Sequence, residues 1–403
     1  MATTADPAPG AAPQAGEGAA RLRRASWALL AGNFAIGCGV MVVPGSLNDL
    51  SGSLAISPAV GGQLITAGAV TMGLGAPLLA AALGGWDRRR LLTLALAWYA
   101  LGHLVAALAP HFAALLPLRA ASVLGAAVFT PQAAAAITVM AAPHERGRLI
   151  TFVFLGWSLA SVLGMPLHSY IGEAFGWRWA FGLVALLSVA GALAVWRTLP
   201  DGVRPAPLSL ASWRSALTHP LLMGIVAVTV LSGAGQFTLF SYFAPYYRQE
   251  LGASAAAVSL LFLWFGAFGL AGNLLVSRWI DRVGAARCVN ATLVLMALSL
   301  ALWPLAGGAV AMAFVLVPWA LGCFSSNSAQ QARVSSASPA FAPALLALNT
   351  SAIYVGQAIG AAGGGALLAA GGYGPLSWAA LGWMGLAIAL SLLVASRMKG
   401  GHV

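Results

Sequence analysis

Residues 272–287, GNLLVSRWIDRVGAAR, decide the fold of this chain. Here a long apolar run stops at a compact turn that carries both signs of charge and a glycine, Gly284, and a second apolar run begins directly afterwards. Each run is long enough to cross a bilayer, which takes about 20 apolar residues. Such a turn is compatible with an ordinary solvated loop between two helices, so its meaning depends on whether the chain repeats it.

The chain does repeat the pattern. A shift of 196 residues lays residues 75–79, GAPLL, over residues 271–275, AGNLL, and lays residues 86–90, WDRRR, over residues 282–286, RVGAA. Both copies place a charged turn after the second apolar segment of a half. Such an internal duplication is typical of membrane transporters built from two related bundles, and it predicts two pseudo-symmetric halves of similar length.

The composition excludes a soluble protein. Hydrophobic residues make up 60% of the 403 residues, charged residues make up 7%, and the mean hydropathy is +0.87. Soluble domains carry about 25% charged residues, so this chain lacks the polar residues to cover a water-exposed surface.

The net charge of +11 is not arranged as a basic stripe with interleaved aromatic residues, so no nucleic-acid partner is expected. The three cysteines show no metal-ligand spacing, and neither a metal nor a cofactor is expected.

Twelve apolar stretches of membrane-spanning length follow one another, separated by Pro, Gly and polar residues. We therefore predict an all-α integral membrane protein with twelve transmembrane helices in two six-helix halves. The predicted spans are 26–48, 58–83, 90–109, 112–141, 149–172 and 178–196 in the first half, and 220–246, 254–277, 288–307, 309–332, 341–369 and 375–396 in the second half.

The remaining stretches are tails and a linker. Residues 1–25 are rich in Ala, Pro and Gly and have no apolar face to bury, so disorder is expected. The Pro-rich stretch 198–219 carries charges and a short amphipathic piece, LSLASWRSAL. The predicted domains are a disordered cytoplasmic tail (1–25), an N-terminal six-helix bundle (26–197), a cytoplasmic linker (198–219), a C-terminal six-helix bundle (220–397) and a cytoplasmic tail (398–403).

Basic residues indicate the orientation, because cytoplasmic loops are enriched in Lys and Arg. With the N-terminus inside, the tails, the linker and the loops after even-numbered spans contain every Lys and Arg except Arg119, Arg178 and Arg248. A shift by one span would invert this asymmetry. We therefore expect a multi-pass protein of the cell (inner) membrane with both termini in the cytoplasm. It is also expected to work as a monomer in the lipid bilayer.

Polar residues are distributed unevenly over the twelve spans. Spans 3, 6, 9 and 12 are almost uniformly apolar and suit a lipid-facing position, whereas polar residues concentrate in spans 1, 4, 5, 7, 10 and 11. This rhythm predicts an inner set of helices around a central cavity. The predicted substrate-binding residues, of which the Trp would form an apolar wall, are Asn33, Arg119, Gln236, Trp264, Tyr354 and Gln357.

Arg119 is the most informative single residue, because a charge near the bilayer centre costs about 2.5–3.5 kcal/mol on insertion scales. Two interpretations are open: its guanidinium reaches the outer headgroups or clamps neighbouring carbonyls, or it lies in the cavity and binds substrate or takes part in proton coupling. His168, near the outer end of span 5, is a second candidate for coupling, although a lone histidine there also suits simple packing. His103, in an apolar span, is expected to be structural.

Carboxylates are missing from the predicted cavity. All nine Asp and Glu residues fall in tails, loops or helix ends, so the group that commonly carries protons through a transporter is absent at mid-membrane. Glycines spaced four apart, such as Gly356 and Gly360, are expected to let helix backbones approach closely.

Residues 26–397 resemble the major facilitator superfamily, and within it the drug and metabolite efflux group of arabinose- or nucleoside-efflux-like proton antiporters. The turn at residues 281–284, DRVG, is similar to the family's loop signature between spans 2 and 3 of a half. The first-half copy keeps Arg89 and Arg90, whereas Gly85 stands at the Asp position. The resemblance implies a conformational-switch role for Arg89, Arg90, Asp281, Arg282 and Gly284.

Three further positions bear on this resemblance. Arg119 matches the span 4 Arg of the family, which is implicated there in proton coupling. Gly164 and Pro166 resemble the span 5 signature of antiporters. Val40 stands where many members of the group carry Glu in span 1.

Together these features predict a secondary active transporter, not an enzyme, that exports a small organic molecule (a drug, sugar or nucleoside-like metabolite) in exchange for protons by alternating access. An uptake symporter or an uncoupled facilitator of the same fold remains open, because no carboxylate lies at mid-membrane. A membrane sensor or an intramembrane enzyme would need a soluble signalling domain or a catalytic cluster, and the sequence shows neither.

The charge asymmetry predicts that both ends of the chain lie on the cytoplasmic side. Cysteines introduced at Gly18 and Gly401 are expected to react with a membrane-impermeant maleimide only after the cells are opened. A cysteine introduced at Ser53, in the first outer loop, is expected to react in intact cells. Labelling of the two chain ends from opposite faces would contradict the twelve-span topology.

Overall fold

The computed structural model describes residues 11–142, 144–205, 210–338 and 341–400. The sixteen α-helices of this described part are α1 (Ala11–Ser53), α2 (Pro58–Ala82), α3 (Arg88–Ala107), α4 (Phe112–Ser122), α5 (Leu124–Met140), α6 (Arg146–Leu159), α7 (Met165–Phe175), α8 (Trp177–Thr198), α9 (Leu210–Thr218), α10 (Pro220–Phe240), α11 (Phe243–Gln249), α12 (Ala255–Val283), α13 (Ala285–Leu302), α14 (Ala309–Ala337), α15 (Ala342–Gly371) and α16 (Gly374–Gly400). A π-helical turn (Ala160–Gly164) joins α6 to α7, and a 3-10 turn (Trp303–Leu305) follows α13.

Twelve segments of the described chain are long and apolar enough to cross a membrane, which confirms the predicted fold class. Spans 4, 5 and 7 each consist of two helices: α4 with α5, α6 with α7, and α10 with α11. Helix starts follow local capping chemistry: at α2, the Ser57 hydroxyl accepts the Val60 N–H and Pro58 occupies the first helical position.

The tail differs from its prediction. Residues 1–10 lie outside the described residues, but from Ala11 the chain is helical and runs without a break into the first span. Two features favour a helix over the predicted disorder: alanines, which have the highest helix propensity, and Glu17 with Arg21 four residues later, a stabilising pair on one helix face. In the linker, α9 overlaps the amphipathic piece from Leu210 and extends one residue beyond it, and at the other end of the chain α16 continues to Gly400.

Hydrogen bonds inside the two halves repeat with the shift of the duplication. In the first half, the Asn33 amide of α1 donates to the Val153 carbonyl of α6 at 3.2 Å. In the second half, the Thr229 hydroxyl of α10 donates to the Asn349 side-chain oxygen of α15 at 2.6 Å. Both pairs are 120 residues apart, and each second-half residue lies 196 positions after its first-half equivalent. The two halves therefore share one packing arrangement of their first and fifth spans.

The two ends of the bundle are distinguished by their connections. We call "linker face" the end with the connection from α8 to α10 and the turns before α3 and α13, and "far face" the end with the turns before α2, α4, α8, α12 and α14. At the far face, Asn48 Nδ2 donates to the Ala244 carbonyl at 3.0 Å across the halves. These two residues are also 196 positions apart, so the pseudo-twofold axis passes between them.

The far face is where the halves are joined by polar contacts. Besides the Asn48–Ala244 hydrogen bond, Arg248 Nε lies 3.7 Å from Glu173 Oε1. Within the described ranges, these are the two polar contacts that connect one half to the other. Nearer the bilayer centre the halves touch on glycine: a Cβ at Gly266 of α12 would lie 2.6 Å from the Val162 Cα in the π turn. The polar contacts between the halves are therefore gathered at the far face.

A run of glycines brings α15 against α10. A Cβ built at Gly356 or Gly360 would lie 2.4 Å from the carbonyl oxygen of Val230 or Ala234, respectively, and one at Gly364 would lie 2.3 Å from that of Thr238. Contacts this short leave no room for a methyl group. The glycines therefore form the close helix interface that their spacing predicts.

Enlarging one of these glycines is expected to destabilise the second half. Gly360→Ala should lower the midpoint of thermal unfolding in detergent, because overpacking a close interface typically costs about 1–3 kcal/mol. Gly363→Ala is the matched control, since a Cβ there meets nothing within 4 Å. Equal unfolding midpoints for the two variants would show that the α10–α15 interface is not closely packed.

Candidate substrate and coupling site

Arg119 lies at the centre of the candidate site. It occupies α4 two turns from the far face, and its side chain is 3% exposed. A Cβ at Gly68 of α2 would be 3.7 Å from its Nε, so this glycine leaves room for the guanidinium between α2 and α4. The Arg119 Nε is buried and has no hydrogen-bond partner among the described residues. The guanidinium is thus a buried donor with unused capacity, and it does not reach the headgroups.

One side of the guanidinium is held by histidine. Arg119 Nη1 lies 3.0 Å from His103 Nε2 on α3, and His103 Nδ1 lies 2.9 Å from the Tyr99 carbonyl oxygen. The Tyr99 hydroxyl in turn donates to the Ile36 carbonyl of α1 at 3.1 Å. No carboxylate within the described ranges pairs with Arg119. The buried positive charge therefore has a neutral partner.

The two halves meet at a small cavity beside Arg119. The cavity has a volume of about 10 Å³, and its lining combines Arg119, Gly68 and Val40 of the first half with Gln357 of α15 in the second half. This is room for about one water molecule. Tyr354 lies three residues before Gln357 and hence on the same face of α15, and it is 8% exposed. Polar groups from both halves thus converge on one enclosed point.

His168 is buried nearby on α7. Both of its ring nitrogens are buried and unpartnered among the described residues, whereas its backbone carbonyl accepts a hydrogen bond from Ser46 at 3.2 Å. A Cβ at Gly164 would lie 4.0 Å from the His168 Cδ2. An imidazole with two unsatisfied nitrogens is unusual in a protein interior, so His168 stays a candidate for coupling.

Asn33 uses its side chain for packing within the first half. Its amide donates to the Val153 carbonyl, and its side-chain oxygen accepts the Thr130 hydroxyl at 2.9 Å. The Trp157 indole N–H donates to the same Thr130 hydroxyl at 3.3 Å. In this conformation Asn33 therefore binds its own half, and the structure does not bring it to the cavity.

Gln236 and Trp264 lie elsewhere in the second half. The Gln236 side-chain oxygen accepts the Cys323 thiol at 3.0 Å, which joins α10 to α14. The Trp264 indole N–H donates to the Ala313 carbonyl at 2.8 Å, which joins α12 to α14. Gly266, two residues on, faces the first half, so Trp264 points about 200° around the helix from that interface. The prediction that Trp264 forms a cavity wall is not supported by this placement.

The antiporter-like positions Gly164 and Pro166 flank the end of the π turn in span 5. Proline has no N–H and cannot complete the regular α-helical ladder, and π turns are frequent at functional sites. The turn also packs on both neighbours: Ala160 meets Gly37 of α1, and Val162 meets Gly266 of α12. This irregular turn therefore lies where the halves touch.

The charged turn of the first half is bound to the start of the linker. Arg89 Nη1 lies 2.6 Å from Asp201 Oδ2. Asp87 caps α3 by accepting the Arg90 backbone N–H at 3.2 Å, and its other oxygen accepts the Gly202 N–H at 2.6 Å. Asp87, which lies two residues after Gly85 at the signature's Asp position, is thus the residue that fixes this turn.

The corresponding turn of the second half is free of such ties. Asp281 and Arg282 lie in the last turn of α12 and are exposed, and neither forms an ion pair within the described ranges. Gly284 ends the helix with a φ of 91°, a left-handed conformation that glycine adopts without strain. The structure places these three residues together on the linker face.

A larger groove lies at the far face, between α2, α4 and α15. Its volume is about 510 Å³, and small apolar residues of α2 and α15 form most of its lining, with Ser57, Gln63 and Thr66 as polar members. It contains none of the predicted substrate residues. Within the described chain, no cluster of three or more His, Cys, Asp or Glu residues is arranged to hold a metal ion.

His103 is the site residue that sequence reasoning missed. Spans 3 and 4 form an antiparallel hairpin, in which His103 lies four residues before the end of α3 and Arg119 lies seven residues after the start of α4. Residues this close to a shared turn can meet across the hairpin. That closeness to the turn was the available signal, whereas an apolar span alone suggested a structural role.

Comparisons with protein families and with individual proteins agree on one family of transporters. A family model for the Major Facilitator Superfamily matches residues 29–340 and 225–401. The MFS-type transporter YbcL of Bacillus subtilis (strain 168) is 27% identical over 368 residues, covering 90% of this chain and 93% of that protein. The inner membrane transport protein YdhP of Escherichia coli (strain K12) is 28% identical over 344 residues, covering 85% and 88%. A probable sugar efflux transporter of Helicobacter pylori (strain HPAG1) is 32% identical over 232 residues, covering 58% and 59%.

Solved structures share the fold at lower sequence identity. A D-xylose-proton symporter superposes with a TM-score of 0.74 at 17% identity, covering 91% of this chain and 96% of that one. A bacterial homologue of the human lysosomal transporter Spinster, in an inward-facing and unoccupied conformation, gives 0.71 at 17% identity, covering 93% and 96%. The duplicated bundle of twelve spans and the match to the family model together show that this chain belongs to the Major Facilitator Superfamily of transporters.

Proposed function

We propose that this chain is a proton-driven exporter of a small organic molecule, a drug, sugar or nucleoside-like metabolite, of the arabinose- or nucleoside-efflux-like group. The observation that carries the proposal is the cavity in which Arg119 of the first half and Gln357 of the second half meet. A polar point that two halves share and bury between them is where a transporter of this architecture holds its cargo.

Alternating access is supported by the polar contacts at the far face. The Asn48–Ala244 hydrogen bond and the Arg248–Glu173 ion pair join the halves at that end, and a rocking motion of the halves would separate them. The basic residues of the tails, linker and even-to-odd loops favour a cytoplasmic position for the linker face. The protein would then sit as a monomer in the cell (inner) membrane with both termini inside, and this conformation would load cargo from the cytoplasm.

The residues have separate roles in this scheme. Arg119 binds an anionic group of the cargo, or stabilises a deprotonated partner, through the Nε that is unpartnered in the described structure. Gln357 and Tyr354 hydrogen-bond neutral polar groups from the opposite half, and Gln236 contributes once α10 and α14 move apart. The conformational switch at the linker face comprises Arg89, Arg90, Asp281, Arg282 and Gly284.

Proton coupling and export rest on two supports. The π turn next to Gly164 and Pro166 places a locally irregular segment where the halves touch, as in a span that changes shape during transport. Among the similar proteins, the Helicobacter pylori relative is named a probable sugar efflux transporter. Protons are thus the proposed coupling ion, with His168 and Arg119 as the coupling residues.

An uptake symporter or an uncoupled facilitator is the second candidate, and one observation favours it: no carboxylate of the described chain pairs with Arg119. Counterflow in proteoliposomes, with and without a pH gradient, separates the candidates. A proton-driven exporter accumulates cargo against its gradient only when protons flow the other way. Uphill transport absent under every pH gradient, with exchange intact, would establish the facilitator.

Arg119→Ala is expected to weaken cargo binding. A screen of sugars, nucleosides and small carboxylates by thermal shift should give hits that stabilise the wild type and not the variant. Loss of a charge-assisted hydrogen bond, about 1.5–3 kcal/mol, corresponds to roughly 10- to 100-fold weaker binding.

Arg178→Ala is the charge-matched control for this screen. It also removes one positive charge near the far face, but its guanidinium contacts the Ala109 carbonyl and the Trp177 ring outside the cavity. Every hit should stabilise Arg178→Ala as it stabilises the wild type. Hits that bind wild type and Arg119→Ala equally would remove Arg119 from the site.

A further inference from the structure

His103 is held in one protonation state by its two contacts. Its Nδ1 faces the Tyr99 carbonyl oxygen at 2.9 Å, and a carbonyl can only accept, so Nδ1 carries the proton. Its Nε2 faces Arg119 Nη1 at 3.0 Å, and a guanidinium can only donate, so Nε2 is the bare acceptor. His103 is therefore a neutral imidazole with a defined tautomer in this conformation.

A second proton on His103 is incompatible with this arrangement. It would bind at Nε2 and convert the acceptor of the Arg119 hydrogen bond into a donor. Two cations would then face each other across a contact of 3.0 Å in surroundings that screen charge poorly. Protonation of His103 and its hydrogen bond to Arg119 thus exclude one another.

The other groups around the imidazole do not relieve this conflict. The Tyr99 ring lies 4.2 Å away by centroid, and the Phe181 ring of α8 lies 5.6 Å away. The Gly39 backbone carbonyl on α1, which is a second neutral acceptor near the imidazole, and the side chain of His168 on α7 complete the surroundings. None of these supplies a negative charge at neutral pH, so the arginine would have to move.

We propose that His103 is the proton-binding site of this transporter and that its protonation releases Arg119 from α3. The proposal rests on the proposed proton-driven function. The deprotonated state is the one seen here, with the halves joined at the far face and Arg119 held by His103. Proton binding frees the guanidinium to turn further into the cavity that it lines, toward α15 of the other half, so the proton acts on the contact between the halves.

The position of His103 fits protons that enter from the far face. It lies about one turn from the far-face end of α3, which ends at Ala107. Opening of the far face would expose His103 to the outside, where it would bind a proton. Closure of that face would restore the His103–Arg119 hydrogen bond, and the proton would leave toward the linker face. This order is the one that drives export: the proton leaves inward before cargo binds.

Distances between the linker-face ends of the halves test the proposal without a known cargo. Genetically encoded spin labels at Leu78 of α2 and Leu275 of α12, both exposed, report that separation in nanodiscs between pH 8 and pH 5, the range in which histidine charge ordinarily changes. We expect acidification of the wild type to change the ratio of long to short distances by about 5- to 150-fold, the usual range of coupled equilibria.

His103→Gln is expected to remove this pH response and keep the distances seen at pH 8, because the glutamine amide oxygen can still accept from Arg119 but cannot be protonated. His144→Gln, in an exposed turn, is the control and should respond as the wild type does. A full response in His103→Gln, or a response lost in His168→Gln and kept in His103→Gln, would overturn the proposal. A wild type without any pH response would instead remove the proton coupling on which the proposal rests.

A second measurement on the wild type decides the matter if the glutamine variant does not fold. In protein labelled with ¹⁵N-histidine and ¹³C-carbonyl tyrosine, the contact to Tyr99 identifies the His103 resonance. We expect the Nδ1–H neutral tautomer at pH 8 and the doubly protonated ring over the pH range in which the distances change. An imidazole that stays neutral through that range would overturn the proposal.

Discussion

The interior of a bilayer offers no water to a polar group, so each buried donor and acceptor must find its partner within the protein. This constraint explains why the two halves resemble each other in their contacts as well as in their sequence. Asn33 with Val153 and Thr229 with Asn349 join the first and fifth spans at equivalent positions. Different side chains do the joining, but the same two positions are joined because the same two helices must be held together.

Arg119 is the residue for which the constraint is met in an unusual way. Its charge is buried without a carboxylate, and its partner within the described chain is a neutral imidazole. That pairing satisfies a hydrogen bond but leaves the charge uncompensated. We expect the charge of such a site to respond strongly to an arriving anion or proton. Both halves line the cavity between Arg119 and Gln357, so both would be affected by this change in charge.

The contact between the halves has features that permit its rearrangement. It combines glycine surfaces, such as Gly266 against the π turn, with a few polar contacts gathered at the far face. Small residues allow helices to slide or tilt without a large loss of packed side chains. The two charged turns at the linker face differ in how they are held. The first is bound to the linker through Arg89 and Asp87. The second, with Asp281 and Arg282, is exposed.

The sequence by itself determined the twelve spans, the duplication and the place of Arg119 within a span, because the length of an apolar run and the position of a charge are local properties that the bilayer selects directly. The tertiary structure alone decided where side chains point. It turned Asn33 into a packing residue, aimed Trp264 away from the other half, and brought His103 to Arg119. Those outcomes depend on the rotation of each helix about its axis, which is set by contacts between helices and is not encoded in hydropathy.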